Sequence, residues 1–207
     1  MIRLALPKGR NLGPTAAALA AGGLDLALDA ADRRLWLAQP GAEVEVLLLK
    51  DRDLPLYVEY GVADLGVVGS DVLDEVGGDL LAPLRLVDGL SRLSLIGRPG
   101  ALPGPGAQVR LATKYPRTAR RLIATRPWGA EVVELSGSIE LAPLLDLAEL
   151  ALDIVQTGRT LADNGLVELD VVAPVAPTVI VNRASFQSHR ARINALLGRL
   201  EAAGVAR

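Results

Sequence analysis

Short apolar runs recur along the chain, each leading into a polar or glycine-containing turn and then into a stretch with helical spacing. Ile2 to Leu6 predicts a first strand, Pro7-Lys8-Gly9-Arg10-Asn11 the loop after it, and Pro14 to Ala21 a helix ended by Gly22-Gly23. Asp32 to Leu37 and Val44 to Leu49 read as strands, Leu56 to Tyr60 as a helix, and Asp64 to Val68 as a strand entering the loop Gly69-Ser70-Asp71. This alternation predicts an α/β lobe with a largely parallel sheet. Leu84 to Ile96 reads as an extended connection, and the Pro/Gly-rich stretch from Leu102 to Gly106 marks entry into a second lobe. There Val109 to Thr113, Val132-Val133 and Ala151 to Val155 read as strands, and Ile139 to Leu145 as a helix. Val171-Val172 and Thr178 to Val181 look like strands returning to the first lobe. Ser185 to Ala203 predicts one amphipathic helix with Phe186, Ile193, Leu196, Leu197 and Leu200 on one face. The expected division is therefore lobe I from 1–88 plus 184–207 and lobe II from 89–183.

Composition narrows the chemistry. Half of the 207 residues are hydrophobic, so a large core can form without covalent staples. There is no cysteine, which removes disulfides, thiolate catalysis and the usual zinc ligands. A net charge of −2 argues against a nucleic-acid-coating protein. No apolar run reaches the roughly 20 residues of a membrane helix, and the start of the chain does not read as a signal peptide, so a cytoplasmic protein is expected. Of 22 basic residues only Lys8, Lys50 and Lys114 are lysines, and each directly follows a predicted strand, where α/β proteins commonly hold ligands. The lone histidine, His189, falls on an arginine-rich face of the last helix and reads as a surface residue.

The densest chemistry lies in LALDIVQTGRTLADNGL, from Leu150 to Leu166. An apolar strand carries Asp153 near its end, then Gln156, Thr157, Gly158, Arg159 and Thr160 form a polar loop at a helix start. Free amides, two hydroxyls, the helix dipole and the Arg159 charge together suit an anion. Asp153 is placed to accept hydrogen bonds from sugar hydroxyls, so a sugar phosphate is one reading. The other is a plain turn whose second threonine caps a helix. Lys8 and Arg10, with Gly9 allowing close backbone approach, could likewise face an anion or form a solvated basic turn. Ser136-Gly137-Ser138 offers hydroxyls and amides at another helix start. Asp71 could contact ligand or cap a helix, with Asp74 supporting the first turn.

An acidic residue at a strand end followed by T-G-x-T resembles the phosphoribosyl pyrophosphate (PRPP) loop of phosphoribosyltransferases. The motifs PKGR, DLGVVGSD, ATKYP, SGSIELAP, DIVQTGRTL and VNRASF, in that order, resemble ATP phosphoribosyltransferase along nearly the whole chain. The resemblance implies an α/β fold of two lobes similar to type II periplasmic binding proteins, with the ligand cleft between them. The activity it implies is transfer of phosphoribose from PRPP to N1 of ATP, with Mg2+ bound largely through PRPP or pyrophosphate. It assigns Asp153, Thr157, Gly158, Arg159 and Thr160 to PRPP. Lys8, Gly9, Arg10, Arg33, Lys50, Asp71, Lys114, Ser136, Gly137 and Ser138 go to ATP, pyrophosphate or catalysis. Lys50 stands where the family often has arginine, Ser70 where lysine is common, and Gln156 at an often acidic position. The length resembles the short form of the family, which implies a partner subunit resembling histidyl-tRNA synthetase and a homodimer within a hetero-oligomer. A non-catalytic binding or sensor module of the same fold, or a transferase acting on a free base, are the alternatives.

Overall fold

The computed structural model describes residues 1–9, 11–28, 34–39, 44–86 and 91–205. The first half of the chain runs β1 (Ile2–Pro7), α1 (Leu12–Ala21), β2 (Trp36–Gln39), β3 (Val44–Leu49), α2 (Leu54–Glu59), β4 (Leu65–Gly69), α3 (Ser70–Val76), β5 (Leu80–Arg85) and β6 (Ser91–Gly97). The second half runs β7 (Gln108–Thr113), α4 (Pro116–Ile123), β8 (Gly129–Glu134), α5 (Leu141–Leu144), β9 (Leu150–Val155), α6 (Arg159–Asp163), β10 (Val167–Val175), β11 (Pro177–Asn182), α7 (Arg183–Ser188) and α8 (Arg190–Ala202). These form two compact units, one from Met1–Asp88 with Ala176–Arg207 and one from Gly89–Val175.

The first unit is built on a six-stranded sheet in the order β2-β3-β1-β4-β11-β5. The central strands β1, β4 and β11 read as near-continuous apolar runs because both of their faces are covered, whereas β2 and β5 keep exposed positions. Ile2, Leu4 and Leu6 of β1 face one way, into a core shared with Leu12 and Leu19 of α1 and with Ile193, Leu196, Leu197 and Leu200 of α8. Ala5 faces the other way, against Leu54 and Val58 of α2 and Ile180 of β11. Gly66 is required here, since a Cβ on it would meet Leu54 and Val58 side chains at 2.6 and 3.0 Å. The second unit carries a five-stranded sheet in the order β10-β6-β9-β7-β8. Leu93, Leu95, Leu111, Leu150 and Leu152 pack on one face with Tyr115, Leu122 and Trp128. On the other, Ala112, Ala151 and Val155 pack with Ile139, Leu161 and Leu166.

Several expectations change. The first sheet is mixed rather than largely parallel: β1 pairs parallel with β3 and β4, whereas β2 and β11 run antiparallel to their neighbours. The segment holding Val171 and Val172 does not return to the first unit, because β10 pairs antiparallel with β6 along its whole length. The return is made by β11, which inserts between β4 and β5, so the unit boundary falls at 175/176 and not at 183/184. The stretch read as an extended connection takes in the end of β5 and most of β6, which belong to different sheets. Residues 32 and 33 of the expected second strand lie outside the described residues, and the strand there begins at Trp36. Ser70 and Asp71 belong to α3 rather than to a loop.

The expected single C-terminal helix is two. His189 leaves helical geometry at φ −120° and ψ 23°, separating α7 from α8. The break follows from how α7 is held. The Asn182 side chain accepts the Ser185 N–H as a helix cap, and its amide donates to the carbonyls of Val58 and Glu59 at 2.9 Å each. The Ser185 hydroxyl donates to Asp64 at 2.6 Å. These bonds fix α7 against the α2 end of the sheet, while the leucines of α8 follow the opposite face. Among the described residues, no helix is long and apolar enough to cross a membrane.

Candidate functional site

Two groups of strand-exit loops carry the residues singled out by the sequence, one in each unit. In the first unit β1 and β3 are parallel neighbours, aligned up to Pro7 opposite Leu49. Lys8 and Lys50 therefore leave the sheet side by side, with backbones about 4.8 Å apart by sheet geometry. Both are exposed, and among the described residues neither forms an ion pair. Gly9 adopts φ +87°, and nothing lies within 4 Å of where its Cβ would be, so glycine is kept for its backbone conformation and not for want of space. The two loops are tied together. The Asn11 amide donates to the Asp51 carboxylate at 2.8 Å, and the Lys50 carbonyl accepts the N–H groups of Asp53 and Leu54, which starts α2. Arg10 and Arg33 lie outside the described residues.

The adjacent strand β4 exits at Gly69, which is the N-cap of α3 with extended backbone at φ −62° and ψ 140°. Asp71 is therefore not the cap but an acidic residue in the first helical turn, where it complements the helix dipole. Its carboxylate folds back over Gly69, since a Cβ added there would overlap it.

In the second unit β7 and β9 are parallel neighbours with Thr113 opposite Leu152. That register places Lys114 opposite Asp153, and the pair meets at 3.0 Å between Nζ and Oδ1. Oδ1 also accepts the Ile154 N–H at 2.8 Å. Asp153 is 9 % exposed, so this carboxylate is held by a cation and an amide at a nearly dry strand end. The Thr113 hydroxyl fixes the exit of β7 by donating to the Leu152 carbonyl at 2.8 Å and accepting the Tyr115 N–H at 2.9 Å. The Lys114 ammonium also lies 5.1 Å from the centre of the Tyr115 ring, within cation–π reach.

Two residues beyond β9 the chain turns through Thr157 and Gly158 into α6. Gly158 is the N-cap, at φ +75° and ψ 0°, a left-handed conformation that glycine adopts without strain. The helix begins at Arg159, so the first amides of the T-G-R-T segment have no partner one turn back. The Thr157 hydroxyl accepts the Arg159 N–H at a long 3.4 Å, and Asn164 anchors the turn by donating to the Thr160 carbonyl at 2.8 Å. Arg159 itself runs along the helix toward Asp163, 3.8 Å away and well exposed, so its charge is only loosely fixed. The loop Ser136-Gly137-Ser138 lies further from a helix than expected, because α5 spans only Leu141–Leu144. Ser138 adopts φ +50°, an uncommon conformation for a non-glycine residue, next to the fully buried Ile139.

Sequence reading missed a second set of charges in this unit. Arg92 on β6 donates from Nε to Glu168 Oε2 at 2.7 Å and from an Nη atom to the Gln156 carbonyl at 3.2 Å. The fully buried Ser94, opposite Asp153 in the sheet, donates its hydroxyl to the same Glu168 oxygen at 3.1 Å. The available signal was polar residues inside an otherwise apolar strand. At the other end of this sheet Arg110 and Glu149 pair at 2.5 Å, with the Arg110 N–H also on Glu149 at 2.6 Å. The Arg110 side-chain and backbone hydrogen bonds hold the Glu149 carboxyl down to about 2, from an ordinary 4.5.

Comparison with known proteins identifies the family of the chain. The family model for ATP phosphoribosyltransferase matches residues 50–202. The Thermus thermophilus ATP phosphoribosyltransferase is 45% identical over 199 residues, covering 96% of this chain and 95% of the relative. The Deinococcus radiodurans protein of that name is 47% identical over 199 residues, 96% of this chain and 89% of its own. Among solved structures, a chain of the ATP phosphoribosyl transferase (HisG:HisZ) complex from Thermotoga maritima matches with a TM-score of 0.81 at 32% identity, over 98% of both chains. By its sequence, its two mixed sheets and these relatives, the chain belongs to the ATP phosphoribosyltransferase family.

Proposed function

We propose that this protein transfers phosphoribose from PRPP to N1 of ATP, releasing pyrophosphate and forming phosphoribosyl-ATP, the first step of histidine biosynthesis. The observation that carries the assignment of roles is the Lys114–Asp153 pair beside the T-G-R-T turn: a fixed carboxylate for a sugar, next to free amides for its phosphate. The amides and hydroxyls of Thr157 to Thr160 take the 5-phosphate of PRPP. Both intramolecular contacts of Asp153 fall on Oδ1, so Oδ2 accepts the ribose hydroxyls.

As the bond to ribose C1 breaks, negative charge develops on the departing pyrophosphate. Lys8 and Lys50, with Arg10 and Arg33, are the cations for it, each worth about 3 kcal/mol when preorganised. Ser136, Gly137 and Ser138 contact nucleotide, and Asp71 shapes the exit of β4. Aligning N1 of adenine with C1 supplies the rest of the rate by positioning, and no covalent nucleophile is needed. Among the described residues no three His, Asp or Glu side chains converge as a metal cage. Mg2+ would arrive on PRPP, with phosphate oxygens and water as most of its ligands. The ion offsets charge on the pyrophosphate when bound.

The Thermotoga relative is part of a two-protein complex, and the short-form reading extends that arrangement to this chain: a synthetase-like partner, a homodimer within the hetero-oligomer, and a cytoplasmic setting. The test is pyrophosphate release from PRPP and Mg2+, with ATP or free adenine, alone and with the partner subunit. Release that requires ATP and rises with the partner is expected. Release with adenine alone would identify a free-base transferase, and PRPP binding without release would identify a binding module.

A further inference from the structure

Arg92 occupies an unusual place. It sits on β6, outside the T-G-R-T segment, yet its guanidinium reaches the Gln156 carbonyl immediately before that segment and Glu168 on β10, the strand that follows α6. Glu168 in turn is steadied by the hydroxyl of Ser94, which has no exposed surface. The Arg92–Glu168 bond is part-buried, with the two side chains 34% and 24% exposed, and it anchors the guanidinium whose second contact, to the Gln156 carbonyl, is exposed.

The geometry of a peptide gives this contact a consequence. A trans peptide is planar, with its C=O and N–H pointing in opposite directions. When Arg92 draws the Gln156 carbonyl toward itself, the Thr157 N–H is turned the other way, out from β6. That amide opens the turn whose free donors suit a phosphate. A guanidinium does this where an ammonium would not, because its planar fork reaches a carboxylate and a carbonyl at once.

We propose that Arg92, held by Glu168 and Ser94, is a positioning residue for the phosphate-binding turn, fixing the Gln156–Thr157 peptide so that the Thr157 amide is presented to the 5-phosphate of PRPP. It touches no substrate and acts through that peptide. The inference rests on the assignment of the turn to PRPP, and its experiment separates the two. Steady-state kinetics on the full chain would compare Arg92→Lys, Glu168→Gln and Thr160→Ala with the parent, varying PRPP and ATP in turn and recording a melting temperature for each.

Arg92→Lys is expected to raise the KM for PRPP by at least about tenfold, the size of one lost hydrogen bond to a charged donor, with kcat and the KM for ATP within about twofold. Glu168→Gln, which keeps shape and removes charge, should raise the same KM by less. Thr160→Ala should also raise it, since it removes a donor from the turn itself. If Thr160→Ala does so and Arg92→Lys does not, the role of Arg92 is overturned while the turn assignment stands. If Thr160→Ala leaves the KM for PRPP unchanged, the turn assignment itself fails. If Arg92→Lys lowers kcat, both KM-derived efficiencies and the melting temperature together, Arg92 is only structural. Should Arg92→Lys not fold, an unchanged KM for PRPP in a folded Glu168→Gln would overturn the proposal.

Discussion

The two units place basic residues at the exits of parallel strand pairs, but they treat those charges in opposite ways. In the first, Lys8 and Lys50 emerge side by side, like charges without an ion-pair partner among the described residues. In the second, Lys114 emerges opposite Asp153 and is paired at 3.0 Å, and the nearby Arg92 is paired with Glu168. An uncompensated cationic edge costs stability until an anion arrives, whereas a paired one is already settled and can only orient what binds. The first arrangement is therefore suited to stabilising charge that appears during a reaction, and the second to holding a substrate in place.

That contrast predicts different losses on mutation. Lys8→Ala should lower kcat/KM by on the order of 100-fold, as when one preorganised charge donor is removed, without lowering the melting temperature. Asp153→Ala should lower kcat/KM at least as far and also destabilise the fold, because it strands Lys114 at a half-buried strand end. Pyrophosphate release and thermal melts on the same preparations check both. Equal losses of stability in the two variants would erase the distinction between the edges.

A smaller effect sharpens the comparison at the level of folding. Asn182→Ala removes two donated hydrogen bonds and a helix cap, all within the first unit, and should destabilise that unit by about 2–3 kcal/mol. Native-state hydrogen exchange in low urea should show weaker amide protection in β4, β11 and α2 of the first unit and unchanged protection in β7 and β9 of the second.

The smallest expected effect is electrostatic. Glu149 has its carboxyl pulled below the ordinary 4.5 by Arg110, so its contribution to stability is complete above that value and is lost as pH falls toward about 2. The pair is well exposed, so solvent screening keeps that contribution small. Glu149→Gln should lower the melting temperature slightly at pH 6, with the difference from the parent shrinking below pH 4.5 and closing as pH approaches 2. A constant offset across that range would show that the charge is irrelevant.

Much of this was legible in the chain. Lys8, Lys50 and Lys114 stand out because each ends an apolar run that builds a strand buried on both faces, and the structure leaves each one residue past β1, β3 and β7. Asp153 is readable for the same reason, as a charge inside such a run. Its partner was not, because pairing Lys114 with Asp153 depends on the register of strands almost 40 residues apart. The mixed sheet was hidden likewise: an apolar strand buried on both faces looks the same whether its neighbour runs parallel or antiparallel. The broken C-terminal helix escaped notice because apolar spacing continues through His189, while the break is set by Asn182 and Asp64 contacts made far along the chain. Arg92 was invisible as a positioning group, since nothing local distinguishes an arginine that bonds a distant carbonyl from one in solvent.

The insertion of β11 between β4 and β5 also sets an order of events during synthesis. The second unit is one continuous stretch, complete once Val175 has been made, whereas the first waits for residues 176–207 before its sheet can close. Until then β5 has no neighbour, and the faces of β1 and β3 meant for α8 stay uncovered. Domains generally fold as units while the chain is being made. The second unit can thus fold before the first, and residues 176–207 are the ones that complete the sheet of the first unit and cover its core.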